Sequence, residues 1–163
     1  MDLRLVAVQI VRKALTAVGR GGSLPGRLAL KMDPHFIEKF HMPKHVILVT
    51  GTNGKTTTSN LIARSLMQAG LKVINNSRGD NLNVGIATLL AANSDTSFQV
   101  QADAAVIEVD ELTLYRQFKA LRPTALVVNN FFRDQLDRAG EMETIIRKIE
   151  EVTADFEGDL IMN

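Results

Sequence analysis

The sequence predicts an α/β fold of three layers, a mostly parallel sheet with helices on both faces, preceded by an N-terminal helical segment. Three observations carry that prediction. Short apolar runs such as "HVILVT", "AAVIEVD" and "TALVVNN" read as buried strands. Amphipathic stretches of helical length lie between them, and strand–helix alternation implies parallel pairing. The junction "VILVTGTNGKTTT" (46–58) compresses the pattern into a strand, a glycine turn and a helix start.

The chain has 163 residues, the size of one domain, and a chain of this size buries roughly 70% of its unfolded surface. Hydrophobic residues make up 45% and charged residues 23%, which suits a soluble globular protein. With no cysteine, a disulfide framework and a thiolate zinc site are both excluded within this stretch, and a cytosolic setting is consistent. No apolar run approaches the roughly 20 residues that span a bilayer. The charge is asymmetric: residues 1–45 carry a balance of +5 and residues 46–163 one of −4. An ordinary solvated basic face is the preferred reading. Attraction to an anionic lipid surface or a pyrophosphate-bearing substrate is the sharper one. No aromatic residues interleave with the basic ones, which speaks against nucleic acid.

The elements follow in order. Arg12 and Lys13 interrupt the opening "MDLRLVAVQIVRKALTAVG", so it reads as an amphipathic helix rather than a leader, with Leu3, Val6, Ile10, Ala14 and Val18 on its apolar face. "GRGGSLPGR" (19–27) reads as a turn cluster. "DPHFIEKFH" (33–41) reads as a short helix with Pro34 at its first position. Then come a strand (45–50), a helix (55–69) stopped by Gly70, a strand (71–76) and a helix (83–92). A strand (104–110), a helix (111–121), a strand (124–130), a helix (141–156) and a strand (159–163) complete the series. The sequence runs out inside that strand, as expected of a piece of a longer protein.

Three stretches carry chemistry. In "GTNGKTTT" (51–58), glycines let main-chain N–H groups approach a phosphate, and the helix start adds its positive end. Lys55 is placed to reach the β- and γ-phosphates, and the Thr56 hydroxyl to ligate Mg²⁺. The generic phosphate loop has a glycine where this chain has Val49. In "AAVIEVDE", Glu108 and Asp110 stand at the carboxyl end of a strand, where parallel sheets bind their ligands. Glu108 is assigned to the metal and Asp110 to capping the next helix. "NNFFRDQLDRAGE" (129–141) follows another strand end and should line the same crevice, its two phenylalanines folding the loop onto the body. His35, His41 and His45 fit no common zinc spacing.

Together these stretches resemble the central ATPase domain of the Mur ligase superfamily, which uses G-T-N-G-K-T without the earlier glycine. "SRGDNLNVGIATLL" (77–90) is similar to that family's substrate-side loop. Within the superfamily the chain looks most like the MurT-type synthetase subunits of lipid II isoglutaminyl synthase, on "GRGGSLPGRLALKMDP", "IEVDE" and "NFFRDQLDRAGE". The resemblance implies an N-terminal helical segment (1–44) and a central ATP-binding domain (45–163) incomplete at its C-terminus. It implies ATP and Mg²⁺, with zinc only in further parts of the parent protein. ATP would be held by Gly51, Thr52, Asn53, Gly54, Lys55, Thr56 and Thr57, Mg²⁺ by Thr56 and Glu108, and substrate by Asn81. Lys55 and Glu108 would be the catalytic residues. The reaction implied is amidation of the D-glutamate α-carboxylate of the lipid II stem peptide, with ammonia from a GatD-like glutaminase, at the inner face of a bacterial membrane. An amino-acid-adding or folylpolyglutamate-type ligase is the alternative, and nucleotide binding alone is a third reading for the chain by itself. Two departures bear on this: Gln135 stands where the amino-acid-adding enzymes have a metal-binding His, and Asp80 stands where relatives have alanine.

Overall fold

The computed structural model describes residues 2–17, 22–76, 80–130 and 139–163. The expectations resting on Val18 and on the loop 131–138, including Arg133, Asp134, Gln135, Asp137 and Arg138, lie outside the described residues. Helices α1 (Leu3–Ala17) and α2 (Leu24–Met32) and a short 3-10 turn (Phe36–Lys39) precede the sheet. Then β1 (His45–Thr50), α3 (Lys55–Gln68), β2 (Val73–Asn75), α4 (Asn83–Ala92), β3 (Ala104–Glu108), α5 (Glu111–Leu121), β4 (Ala125–Val128), α6 (Ala139–Thr153) and β5 (Asp159–Met162) alternate. The five strands are all parallel, in the order β2-β3-β1-β4-β5. Every carboxyl strand end therefore opens onto one edge of the sheet.

Strand side chains alternate between the faces, and the core divides accordingly. Val49, Val106 and Val127 face Ala63 of α3. Val46, Leu48, Ile107 and Leu126 face the other way and form one continuous core with Leu5, Ala29, Phe36, Leu90 and Leu114. That second face is closed at one end by three aromatic rings, Phe36, Phe40 and Phe98, packed edge-to-face.

Two sequence expectations are corrected here. The apolar face assigned to α1 is turned away from the core: Leu3 is 74% and Ile10 61% exposed, whereas Leu5 and Val8 are fully buried. The first half of this helix is apolar nearly all round, so periodicity does not fix its rotation. Tertiary contacts do. Gln9 Nε2 donates to the carbonyls of Ala91 (3.1 Å) and Ser94 (3.0 Å), pinning α1 beside the end of α4. The second correction concerns 19–27. From Leu24 onward that stretch is helix, with Pro25 in the first turn, where its missing N–H costs nothing. Gly26 is a packing glycine rather than a turn residue: a Cβ there would sit 1.9 Å from the Val84 carbonyl oxygen of α4.

Asp33 is 8% exposed and joins α1 to the 3-10 turn by pairing with Lys39 and with Arg4 Nη1 (3.2 Å). The hydrogen bond from Lys39 is the main reason its carboxyl lies below the usual carboxylate range. A lowered folded-state value stabilises fully above the unfolded value of about 3.9 and is lost as pH falls through the folded one. Urea midpoints followed by circular dichroism should hold from neutral pH down to about 4 and fall below it, with part of that fall absent in Asp33→Asn. An identical acid profile in the variant would mean that Asp33 does not link α1 to the body.

Candidate functional site

The site is built where β1 ends. Thr50 closes the strand, Gly51 to Gly54 make the turn, and α3 begins at Lys55. Gly51 (φ 125°) and Gly54 (φ 80°) both adopt backbone conformations that L side chains rarely take. At Gly51 a side chain is excluded twice over, because a Cβ would lie 2.8 Å from the carbonyl oxygen of Asn130. Lys55 Nζ folds back over the turn and donates to the carbonyls of Gly51 (2.5 Å) and Thr52 (3.2 Å). The Thr50 hydroxyl, fully buried at the base of the loop, has no hydrogen-bond partner among the described residues.

Next to β1 lies β3, with Val49 in register with Glu108. That register carries Glu108, only 2% exposed, to the first turn of α3, where its Oε2 accepts from Thr56 Oγ1 at 2.8 Å. Asn81 Nδ2 reaches the other carboxylate oxygen at 3.5 Å. Lys55 and Thr56, Asn81 and Glu108 thus come together from three places in the sequence, while Thr57 is exposed in the same helical turn. Asp110 takes the capping position of α5 and accepts from Thr113 N at 2.6 Å.

Three asparagines that sequence reading did not single out organise this edge. The Asn76 side chain accepts from Glu108 N and donates to Glu108 O, both at 2.8 Å, and also donates to Asp80 O (3.1 Å). Asn130 accepts from Thr52 N through its carbonyl (2.7 Å) and from Asn53 N through its side chain (3.0 Å). Asn129 Nδ2 donates to Asn53 O (3.3 Å) and Thr58 Oγ1 (3.1 Å). These bonds clamp the glycine turn from the end of β4, so the loop is held in shape by its neighbour strand. The available signal was the repeated doublet: "VINN" and "VVNN" each end a buried strand in two adjacent amides.

The donor chemistry can be tested against a nucleotide and a divalent cation. A hydroxyl and a carboxylate 2.8 Å apart are hard oxygen ligands. Among the described residues no group of three or more His, Cys, Asp or Glu is gathered for a metal. The hydroxyl–carboxylate pair suits Mg²⁺, which takes one or two protein oxygens and completes its octahedron with phosphate and water. The turn ahead of α3, with a lysine over it, suits phosphate oxygens. Both groups fit the residues present.

The family model for the Mur ligase middle domain matches residues 49–163. The chain belongs to the Mur ligase family. This Mur ligase domain is 38% identical over 157 residues to the lipid II isoglutaminyl synthase (glutamine-hydrolyzing) subunit MurT of Staphylococcus aureus strain COL, matching 95% of the chain and 35% of that protein. It is 37% identical to the same-named subunit of Streptococcus pneumoniae, over 96% of the chain and 36% of that protein. A UDP-N-acetylmuramoylalanine–D-glutamate ligase of Natranaerobius thermophilus is 32% identical over 64% of the chain and 20% of its own length. The Mur ligase domain described here spans about a third of the length of the MurT relatives it matches.

Proposed function

We propose that this protein is the synthetase part of an ATP-dependent ligase that amidates a peptide carboxylate in peptidoglycan synthesis, with ammonia drawn from a glutaminase partner. The observation that carries the reading is the meeting of Thr56 and Glu108, 2.8 Å apart, beside a phosphate-type loop bearing Lys55. The kinship with MurT subunits of lipid II isoglutaminyl synthase along nearly the whole chain supports lipid II as the substrate, and the carboxylate proposed to react is the α-carboxylate of its D-glutamate. In the reaction the carboxylate oxygen attacks the γ-phosphorus of ATP, the bond to the β-phosphate bridging oxygen breaks, and ADP leaves. Ammonia then attacks the acyl carbon, phosphate departs, and the nitrogen gives up a proton to yield the amide. Lys55 would bind the β- and γ-phosphates and spread the charge that develops on them. Thr56 and Glu108 would hold the Mg²⁺, which when bound screens the phosphate charge. Asn81, hydrogen-bonded to Glu108, would meet the acceptor. Asn129 and Asn130 would keep the loop amides aimed inward, sparing reorganisation at the moment of transfer. The site would work on the cytoplasmic side, where ATP is available.

The test is to co-express the protein with its glutaminase, supply lipid II, ATP, Mg²⁺ and glutamine, and read the muropeptide by mass spectrometry. A hydroxyl exchanged for an amine, with almost no change in mass and one carboxylate lost, is the expected product. A product heavier by an amino-acid residue would make the protein a peptide-adding ligase instead.

Glu108→Ala is expected to lower turnover roughly a hundredfold at millimolar Mg²⁺ and to raise the Mg²⁺ concentration needed for half-maximal rate, as loss of one charged transition-state contact does. An unchanged Mg²⁺ titration would remove Glu108 from the metal site.

A further inference from the structure

Asn76, whose side chain brackets Glu108, also lines a cleft of about 590 Å³ between the later turns of α1, the start of α2 and the face of α4. Arg12 reaches this cleft from α1, with Thr16 and Ser23 beside it and Asn75 and Asp80 among its other walls. Arg12 Nε is sealed from solvent without a hydrogen-bond partner, and among the described residues its guanidinium joins no ion pair. A guanidinium that lines a cleft without an ion-pair partner among the described residues describes the ligand that would complete it. It carries an oxyanion for the arginine.

A guanidinium fork matches a carboxylate or a phosphate. Asp80 decides between them. A carboxylate in the wall of a cleft this size disfavours a doubly charged phosphate, while it can accept from a peptide N–H. We propose that this cleft is the acceptor-peptide subsite, and that Arg12 anchors a peptide carboxylate other than the one that is activated. The proposal rests on the ligase reading above. The anchored carboxylate must be a second one, because pairing with arginine stabilises the anion and makes its oxygen a poorer nucleophile. The reacting carboxylate is needed beside Lys55 and Thr56, whereas Arg12 is on a different element and lines a different space. In this account Asn76 is the shared wall of the two sites.

The experiment is calorimetric titration of the purified protein with a synthetic stem peptide and with the same peptide as its C-terminal amide. Arg12→Gln and Arg12→Lys are compared, and ATP binding is followed in parallel with a fluorescent analogue. The wild-type protein should bind the amide roughly tenfold to a hundredfold more weakly than the acid, the cost of one charge-assisted contact. Arg12→Gln should bind both peptides alike and weakly, Arg12→Lys should fall between, and ATP affinity should hold in all. Equal affinity of the wild-type protein for acid and amide overturns the proposal without recourse to any variant. Inorganic pyrophosphate displacing the peptide from the wild-type protein but not from Arg12→Gln reassigns the cleft to phosphate and overturns it too. Peptide binding through Arg12 in a protein that fails to bind ATP would uphold the subsite and sink the ligase reading. ATP binding with peptide affinity indifferent to Arg12 would do the reverse.

Discussion

Lys55→Ala is expected to cut ATP-dependent turnover by at least about 10²- to 10³-fold, the effect of deleting one preorganised charge contact to a transition state. ATP affinity should fall with it, because the ammonium is the one cation in the glycine turn itself. The fold should barely notice. Among the described residues Lys55 donates to two carbonyls of its own loop, and hydrogen bonds of that kind contribute about 0.5–1.5 kcal/mol each, less where water can replace them. A fluorescent ATP titration combined with a thermal melt separates the two effects. Unchanged ATP affinity in a normally folded variant would mean that the turn ahead of α3 does not bind phosphate.

The largest expected effect on stability comes from Gly26→Ala. A methyl there would lie 1.9 Å from the Val84 carbonyl and 2.5 Å from Thr88 Oγ1. The threonine is already engaged on both sides, accepting from Gly26 N (2.9 Å) and donating to Val84 O (2.8 Å). Alanine gains about 1 kcal/mol of helix propensity over glycine. Overpacking costs about 1–3 kcal/mol, and more where the obstacle cannot rotate aside. Here the obstacle is a backbone oxygen inside a helix, so the clash wins and α2 must lift from α4. The net loss should be roughly 2 kcal/mol or more, a melting temperature lower by roughly 4–8 °C for a chain of this size. A melt that does not move would show the two helices to be farther apart than described.

Much of the sheet is legible from local pattern. β1, α3 and α5 start where the sequence places them and end within one residue of it, because each is bounded by a strong local signal: Pro43 before β1, Gly70 after α3, the Asp110 cap before α5. The glycine loop is legible for the same reason, since its chemistry is contiguous. What sequence reading missed depends on distant partners. "SLPGR" looks like a turn until α4 offers a groove that only glycine fits. The rotation of α1 is set by carbonyls more than eighty residues away, which no periodicity can report. The amides of Asn76, Asn129 and Asn130 acquire their meaning only when β2 and β4 come to flank β3 and β1. Glu108 could be nominated from its strand end, but its contact with Thr56 spans 52 positions and requires the β1–β3 register.

The short length of β2 has a consequence of its own. The strand supplies three residues, pairing as far as Asn75 with Val106. At Glu108 both main-chain groups are nevertheless satisfied, and the partner is the side chain of Asn76. A carboxamide can present an N–H donor and a C=O acceptor side by side in one plane, the same pair that a peptide unit offers, and its second N–H is left for Asp80 O. Asn76 is in effect a counterfeit rung, closing the ladder where no further strand residue does so. Aspartate would keep the acceptor and lose the donor, leucine would keep the shape and lose both, and glutamine would overreach by a methylene. The strand neighbours can exchange one apolar residue for another, but this position has a single fitting occupant.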